Sequence, residues 1–225
     1  MKVFSFKHDD KNLRWKDNRT RRYYIGDQYF IKEIVVNGEE NKKTVSNLIS
    51  FYQNNKELIA SLPIPKLIDW SEEGDKYRFV FDSIKGTNVA DKIDSFDNQQ
   101  KKEIVQQTVK ITSILEKNGI YHNDIRSWNL IVNRDSKNNL QTILIDFDNA
   151  KSIETESSLE SILWLMFDLN AGIVKNIDHS KETKDILLVP PSDYGIFSNI
   201  AAAIIDKKVT NMQELLSFIE KNNNQ

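Results

Sequence analysis

Between Tyr121 and Val132 the chain reads Tyr-His-Asn-Asp-Ile-Arg-Ser-Trp-Asn-Leu-Ile-Val, an H-x-D-x-x-x-x-N pattern that runs into an apolar strand. A second acidic residue follows, where Ile143-Leu-Ile ends in Asp146-Phe147-Asp148. One chemistry uses this set: a carboxylate accepts the proton of an attacking hydroxyl, while Asn and Asp oxygens hold a hard cation that bridges nucleotide phosphates. The spacing from Asp124 to Asn129 lets one loop present both groups, and a hairpin returns Asp146 beside Asn129. A shuffled chain of this composition would contain the pattern about 0.03 times, so it is treated as signal.

The elements around the motif can be read from hydrophobic period and turn residues. Residues 22–26 and 28–36 are rich in aromatic and β-branched side chains, with Gly26-Asp27 between them, and predict a hairpin. Val45, Leu48, Ile49 and Tyr52, then Leu58, Ile59 and Leu62, predict one helix over about 41–61, stopped by Pro63 and Pro65. Strands are expected at 66–70 and 76–81. Beyond Ile84-Lys-Gly86 the texture turns helical. Ser95 is the expected N-cap of a long amphipathic helix, with Gly119 as its C′ residue. A strand pair at 130–133 and 142–147 carries the motif. Helices are expected at 159–170 and over about 196–222, the latter broken near Lys207, and Trp164 and Met166 should be core. The fold class is α+β: an N-terminal β-rich lobe at 1–83 and a mainly helical C-terminal lobe at 84–225.

These motifs resemble the protein-kinase-like fold, and within it the small-molecule and sugar-kinase branch. His122-x-Asp124-Ile-Arg126-x-x-Asn129 is similar to the family's catalytic loop, and Asp146-Phe147-Asp148 to its metal-binding D-F-G. Tyr29-Phe-Ile-Lys32 resembles the third strand with its phosphate-binding lysine. Phe79-Val-Phe-Asp82-Ser83-Ile84 resembles the last small-lobe strand and the hinge whose backbone holds adenine. The ending Arg126-Ser-Trp-Asn129 is similar to kinase domains that cap or phosphorylate lipopolysaccharide O-antigen chains. The resemblance covers about residues 20–170.

It implies ATP and Mg²⁺ as cofactors, with Asp124 as base and Arg126 neutralising the transferring phosphoryl group. Asn129 and Asp146 would hold the metal. Lys32 would pair with donor phosphates, and Asp82, Ser83 and Ile84 would line the nucleotide. His122 reads as structural, and Trp128 as either a loop anchor or a substrate platform. Asp148 replaces the usual glycine and reads as a tolerated variant or a third carboxylate near metal.

Three departures qualify the pattern. The seven glycines are scattered, with no G-x-G; a phosphate lid would turn near residues 17–20, where Arg19, Arg21 and Arg22 could replace backbone amides as anion donors. The glutamate that usually pairs with the lysine is not evident, since residues 47–52 hold no acid, Glu40 is early and Glu57 late. The chain after Asp148 is short and lacks A-P-E, which favours a small-molecule or glycan acceptor over a polypeptide. Aminoglycoside- or choline-type kinases and a nucleotide-binding pseudokinase stay open as alternatives.

Composition narrows the field. The chain has 225 residues, no cysteine and a net charge of -2, which excludes disulfide frameworks and thiolate chemistry and gives no reason to expect nucleic acid. Charge is uneven, with Lys and Arg outnumbering acids over residues 1–25. No signal peptide or membrane span is expected. The expected location is the cytoplasm, with possible peripheral contact to a membrane or a lipid-linked substrate at the inner membrane surface.

Overall fold

The computed structural model describes residues 13–16, 21–25, 29–155, 157–172 and 183–223. They fall into two compact units, one holding residues up to 54 and 65–84, the other 55–64 and 85 onward.

The first unit is a five-stranded antiparallel sheet with one helix. In chain order the strands are β1 (Leu13–Lys16), β2 (Arg21–Ile25), β3 (Tyr29–Val35), β4 (Leu67–Glu73) and β5 (Lys76–Asp82), hydrogen-bonded in the spatial order β1-β2-β3-β5-β4. The hairpin turn expected at Gly26-Asp27 and the lid turn expected at 17–20 lie outside the described residues. Helix α1 (Glu39–Asn54) follows β3 and buries Val45, Leu48, Phe51 and Tyr52, the i, i+3, i+7 stripe that one helix face requires. Glu39 and Glu40 stand in its first turn, where carboxylates favour the positive end of the helix dipole.

Register decides which face of this sheet does what. Directly opposed residues share a face, so Phe30 and Lys32 stand with Phe81 and Phe79, while Glu33 stands with Arg78. The Tyr52 ring lies 5.3 Å from that of Phe81. Lys32 is therefore on the face that carries α1.

The helix expected over 41–61 is broken. α1 ends at Asn54, and a separate short helix, α2 (Lys56–Ser61), begins after Asn55, whose φ of -121° and ψ of 29° leave the helical region. Two adjacent asparagines, poor helix formers that compete for backbone hydrogen bonds, are the local cause. The break coincides with the boundary between the two units.

The second unit is built on α3 (Asn98–Lys117). Its N-cap is Asp97, not Ser95 as expected. Asp97 accepts from Gln100 N while the Gln100 side chain accepts from Asp97 N, a reciprocal capping box. Ser95 instead closes the preceding turn onto the Lys92 carbonyl. Asp97 wins because Gln100 stands three residues on and can answer it. Gly119, with φ of 70°, ends the helix as expected.

A three-stranded sheet, β6 (Thr87–Asn88), β7 (Leu130–Arg134) and β8 (Leu140–Leu144), then places the motif. Gly86 enters it at φ 150°, and a Cβ there would meet the Val132 carbonyl at 2.6 Å, so only glycine fits this close approach. Strand β8 ends at Leu144, earlier than the expected 147, because Asp146 turns into the left-handed region and residues 147–149 form a 3₁₀ turn. Helix α4 (Ser158–Ala171) runs through the core with Trp164 and Met166 buried, as expected. Helices α5 (Ser198–Ile205) and α6 (Met212–Asn223) close the unit, separated around Lys207 at φ 57°.

Candidate active site

The second unit joins Asp124 and Asn129 in one hydrogen-bond network and ties the loop backbone to the residue before Asp146. Nδ2 of Asn129 donates to Oδ2 of Asp124 at 2.9 Å and to its backbone carbonyl at 2.9 Å. The backbone of Asn129 accepts from Ile145 N at 2.9 Å, which joins the loop to the residue before Asp146. Asp146 sits at φ 64° and ψ 67°, a conformation Asp tolerates better than most residues. The turn at Asp146 is what ends the β8 ladder and re-aims the chain.

His122 packs beneath this network. It is fully buried, its ring lies edge-on to Phe147 at 4.7 Å, and Nε2 donates to the Ile145 carbonyl at 3.0 Å. A carbonyl accepts only, so Nε2 carries the proton and the neutral ring meets this bond. Burial holds the imidazole pKa below its ordinary value, opposed by the charge of Asp124, the Ile145 carbonyl and the charge of Asp146. Both carboxylates therefore lie within electrostatic reach of one buried ring. The structural role expected for His122 agrees with this placement.

Arg126 is only 7% exposed. Its Nη1 donates to the Ile125 carbonyl at 2.9 Å and to Ser161 Oγ of α4 at 3.2 Å. Next to it, Ser127 Oγ donates to Asp168 Oδ2 of α4 at 2.8 Å. The side chain expected at the transferring phosphoryl group is thus bonded to the helix behind the loop. Trp128 is partly exposed, and its carbonyl accepts from Asn88 Nδ2 at 2.6 Å, which anchors the loop backbone.

The remaining candidates belong to the first unit. Lys32 is 3% exposed on β3. Asp82 ends β5, and its Oδ1 accepts from Lys66 N at 2.7 Å, so that carboxylate closes the start of β4. Ser83 and Ile84 follow it, half-buried.

The donor set can be tested against the implied metal. With its NH₂ committed to Asp124, Asn129 has its amide oxygen left for a cation, and Asp146 adds a carboxylate. Mg²⁺ is held by one or two such oxygens completed by waters and substrate phosphates. No group of three acidic or histidine side chains able to form a full cage occurs among the described residues. Such a two-oxygen set fits a cation that arrives with phosphates.

Sequence reasoning missed Asp168, Ser161 and Asn123. Asp168 carried a readable signal, a lone acid in the apolar run Ile-Leu-Trp-Leu-Met-Phe-Asp. Asn123 carried none, because its partners are backbone groups far along the chain.

Residues 17–166 match the protein kinase domain model. Two curated Escherichia coli sequences of the O-antigen chain terminator bifunctional methyltransferase/kinase WbdD are 26% identical over 139 residues, 57% of this chain. The chain spans only 19% of their length. A 2.2 Å crystal structure of WbdD superposes with a TM-score of 0.65 at 18% identity, covering 94% of this chain and 45% of that one. The co-crystal structure of WbdD with a kinase inhibitor gives a TM-score of 0.62 at 20% identity, covering 94% and 45%. At such identities the solved structures speak for the fold, a small antiparallel sheet with one helix plus a mainly helical unit. With the motif geometry and the matched domain together, the chain belongs to the protein kinase domain family.

Proposed function

We propose that this chain is an ATP- and Mg²⁺-dependent phosphotransferase that moves the γ-phosphoryl group to a hydroxyl of a sugar or glycan, and that its acceptor is a lipopolysaccharide or polysaccharide chain. The observation that carries the reading is the bond from Asn129 Nδ2 to Asp124 Oδ2. It fixes a carboxylate oxygen beside the residue whose other amide atom suits a metal. The likeness to the O-antigen terminator WbdD supports the glycan acceptor.

In this reading Asp124 orients the acceptor hydroxyl and takes its proton. Asn129 Oδ1 and the Asp146 carboxylate would hold Mg²⁺, which would neutralise charge on the phosphates. Lys32 and residues 82–84 of the first unit serve the nucleotide. Arg126 braces the loop through Ser161, and any charge it lends to the phosphoryl group comes from that fixed position. No described helix is long and apolar enough to cross a membrane, so a lipid-linked acceptor would be met at the membrane surface.

The test is turnover of γ-labelled ATP with Mg²⁺ on an acceptor panel of neutral oligosaccharides, lipopolysaccharide, aminoglycosides and choline. Label in the saccharides alone is the expected result. Label in the amine acceptors would reassign the substrate class. Nucleotide binding with background turnover on every acceptor would make the chain a pseudokinase and overturn the proposal.

A further inference from the structure

Directly before Asp124, Asn123 holds φ of 59°, in the left-handed region that few non-glycine residues enter. Its side chain reaches across the chain. Nδ2 faces three carbonyls, Tyr121 at 3.2 Å, Asn149 at 3.1 Å and Ile153 at 3.2 Å, while Oδ1 accepts from Thr155 N at 2.7 Å. The segment it grips begins immediately after Asp148. Tyr121 and Lys151 add a two-way backbone bridge, with N to O distances of 2.8 and 3.0 Å. Residues 149, 151, 153 and 155 are thus tied in alternation to residues 121 and 123.

The chemistry of this grip selects asparagine. Two N–H hydrogens facing carbonyls and one oxygen facing an N–H are what a carboxamide offers. Aspartate would set a charge against three carbonyls, and leucine would satisfy none of them. Asparagine also tolerates the left-handed backbone at lower cost than most side chains. Asn123 is 3% exposed, so its bonds are shielded from competing water. The far end of the segment is held too, since Glu154 Oε1 accepts from Ser158 N at 2.9 Å at the start of α4.

We propose that Asn123 is a positioning residue that locks the segment 149–155 to the catalytic loop with a neutral amide, so that this segment is ordered without any added charge. A segment of this kind can be ordered by phosphorylation, through new charge-assisted bonds. Here the carboxamide already supplies the bonds, on a residue flanked by His122 and Asp124. Because Asn123 and Asp124 share a peptide unit, the same lock fixes the direction in which Asp124 leaves the chain. Only the kinetic readout of this proposal rests on the phosphotransferase reading.

The test compares the full chain with Asn123→Gly, which keeps the backbone angle and removes the amide. In the unmodified protein the amides of Lys151 and Thr155 should be protected from hydrogen exchange, and phosphatase treatment should leave that protection unchanged. In Asn123→Gly, Thr155 should exchange about 100-fold faster, as loss of two net hydrogen bonds implies. With acceptor and ATP, kcat should fall about tenfold while the nucleotide KM stays within about twofold. Asn123→Asp, which keeps the acceptor for Thr155 N and turns a charge on the three carbonyls, should fall between the unmodified protein and the glycine variant. Free exchange of Thr155 in the unmodified protein, loss of protection on phosphatase treatment, or wild-type protection in Asn123→Gly would each overturn the proposal. If no acceptor is turned over, the exchange measurements still decide the lock while the functional reading fails separately.

Discussion

Asn129 grips Asp124 twice, through its carboxylate and through its own backbone carbonyl, both at 2.9 Å from the same nitrogen. One amide therefore sets the side-chain rotamer of the proposed base and the path of the loop that presents it. Replacing Asp124 with Asn keeps the shape and removes proton acceptance. The expected result is a fall in kcat of about 10²–10⁴-fold with nucleotide affinity nearly unchanged. Asn129→Ala removes both the grip and an oxygen proposed for the cation. It should lower kcat and also raise the Mg²⁺ concentration needed for half-maximal rate, a shift that Asp124→Asn does not produce. An unchanged kcat in Asp124→Asn would refute the assigned base.

Arg126 separates two roles that a sequence motif cannot separate. A guanidinium that serves only the transferring phosphoryl group can be removed without loss of stability. One that is 7% exposed and bonded to Ser161 cannot. Arg126→Ala should destabilise the protein by about 1–3 kcal/mol, because it strips a buried hydrogen-bond donor from its partners. The melting temperature should drop on the order of 5 °C. An unaltered melting temperature together with a large loss of kcat would return Arg126 to the purely electrostatic role.

His122 gives the fold an acid limit. Burial holds its pKa down, so the native state keeps the ring neutral, while the unfolded chain takes up a proton below about 6.5. Below that pH the unfolded state binds more protons, and stability falls as pH falls, by at most about 1.4 kcal/mol per pH unit. The carboxyls of Asp135 and Glu214, held below their ordinary values by hydrogen bonds from Asn139 and Thr210, contribute stability that is lost only as pH drops beneath about 4. Glu116, whose carboxyl burial pushes above its ordinary value, acts in the opposite sense, so it is the comparison of midpoints at pH 7.5 and 5.5 with and without the imidazole that isolates the histidine. His122→Gln, which can still donate to Ile145, should flatten the difference between those two pH values. A midpoint difference that persists in the variant would assign it to another group.

The parts of this architecture legible in the sequence are those set by local spacing. The loop from His122 to Asn129, the strand that follows and the returning Asp146 are close in sequence, and the hairpin that joins them is encoded by apolar alternation. Gly119 and the break near Lys207 were readable for the same reason. What was not readable depends on competition or on distance. Ser95 and Asp97 both suit a helix N-cap, and only the answering Gln100 decides between them. Periodic apolar residues run straight through Asn54-Asn55, so the break between α1 and α2 is hidden by pattern. Arg126 fits a phosphoryl-binding role by position, yet Ser161, thirty-five residues on, receives its guanidinium. The Asn123 lock is invisible because its acceptors are carbonyls, which every residue has.

On the face of the first unit's sheet opposite α1, Glu33 on β3 stands directly opposite Arg78 on β5. Arg78 Nε meets Glu33 Oε2 at 2.9 Å and its Nη1 meets Glu73 Oε2 at 2.9 Å, but the two acids differ in setting. The Glu33 side chain is 1% exposed and that of Glu73 is 73% exposed. Losing the exposed partner removes a solvated pair, worth about 0–1 kcal/mol. Removing Arg78 deprives a buried carboxylate of an ion-pair partner, which for a buried pair costs about 3–5 kcal/mol. Because Arg78 is itself about a quarter exposed, the lower end of that range is expected. Glu73→Ala should therefore leave the denaturant midpoint nearly unchanged, while Arg78→Ala lowers it clearly. Equal effects of Glu73→Ala and Arg78→Ala would mean that burial of Glu33 is not what gives the pair its strength.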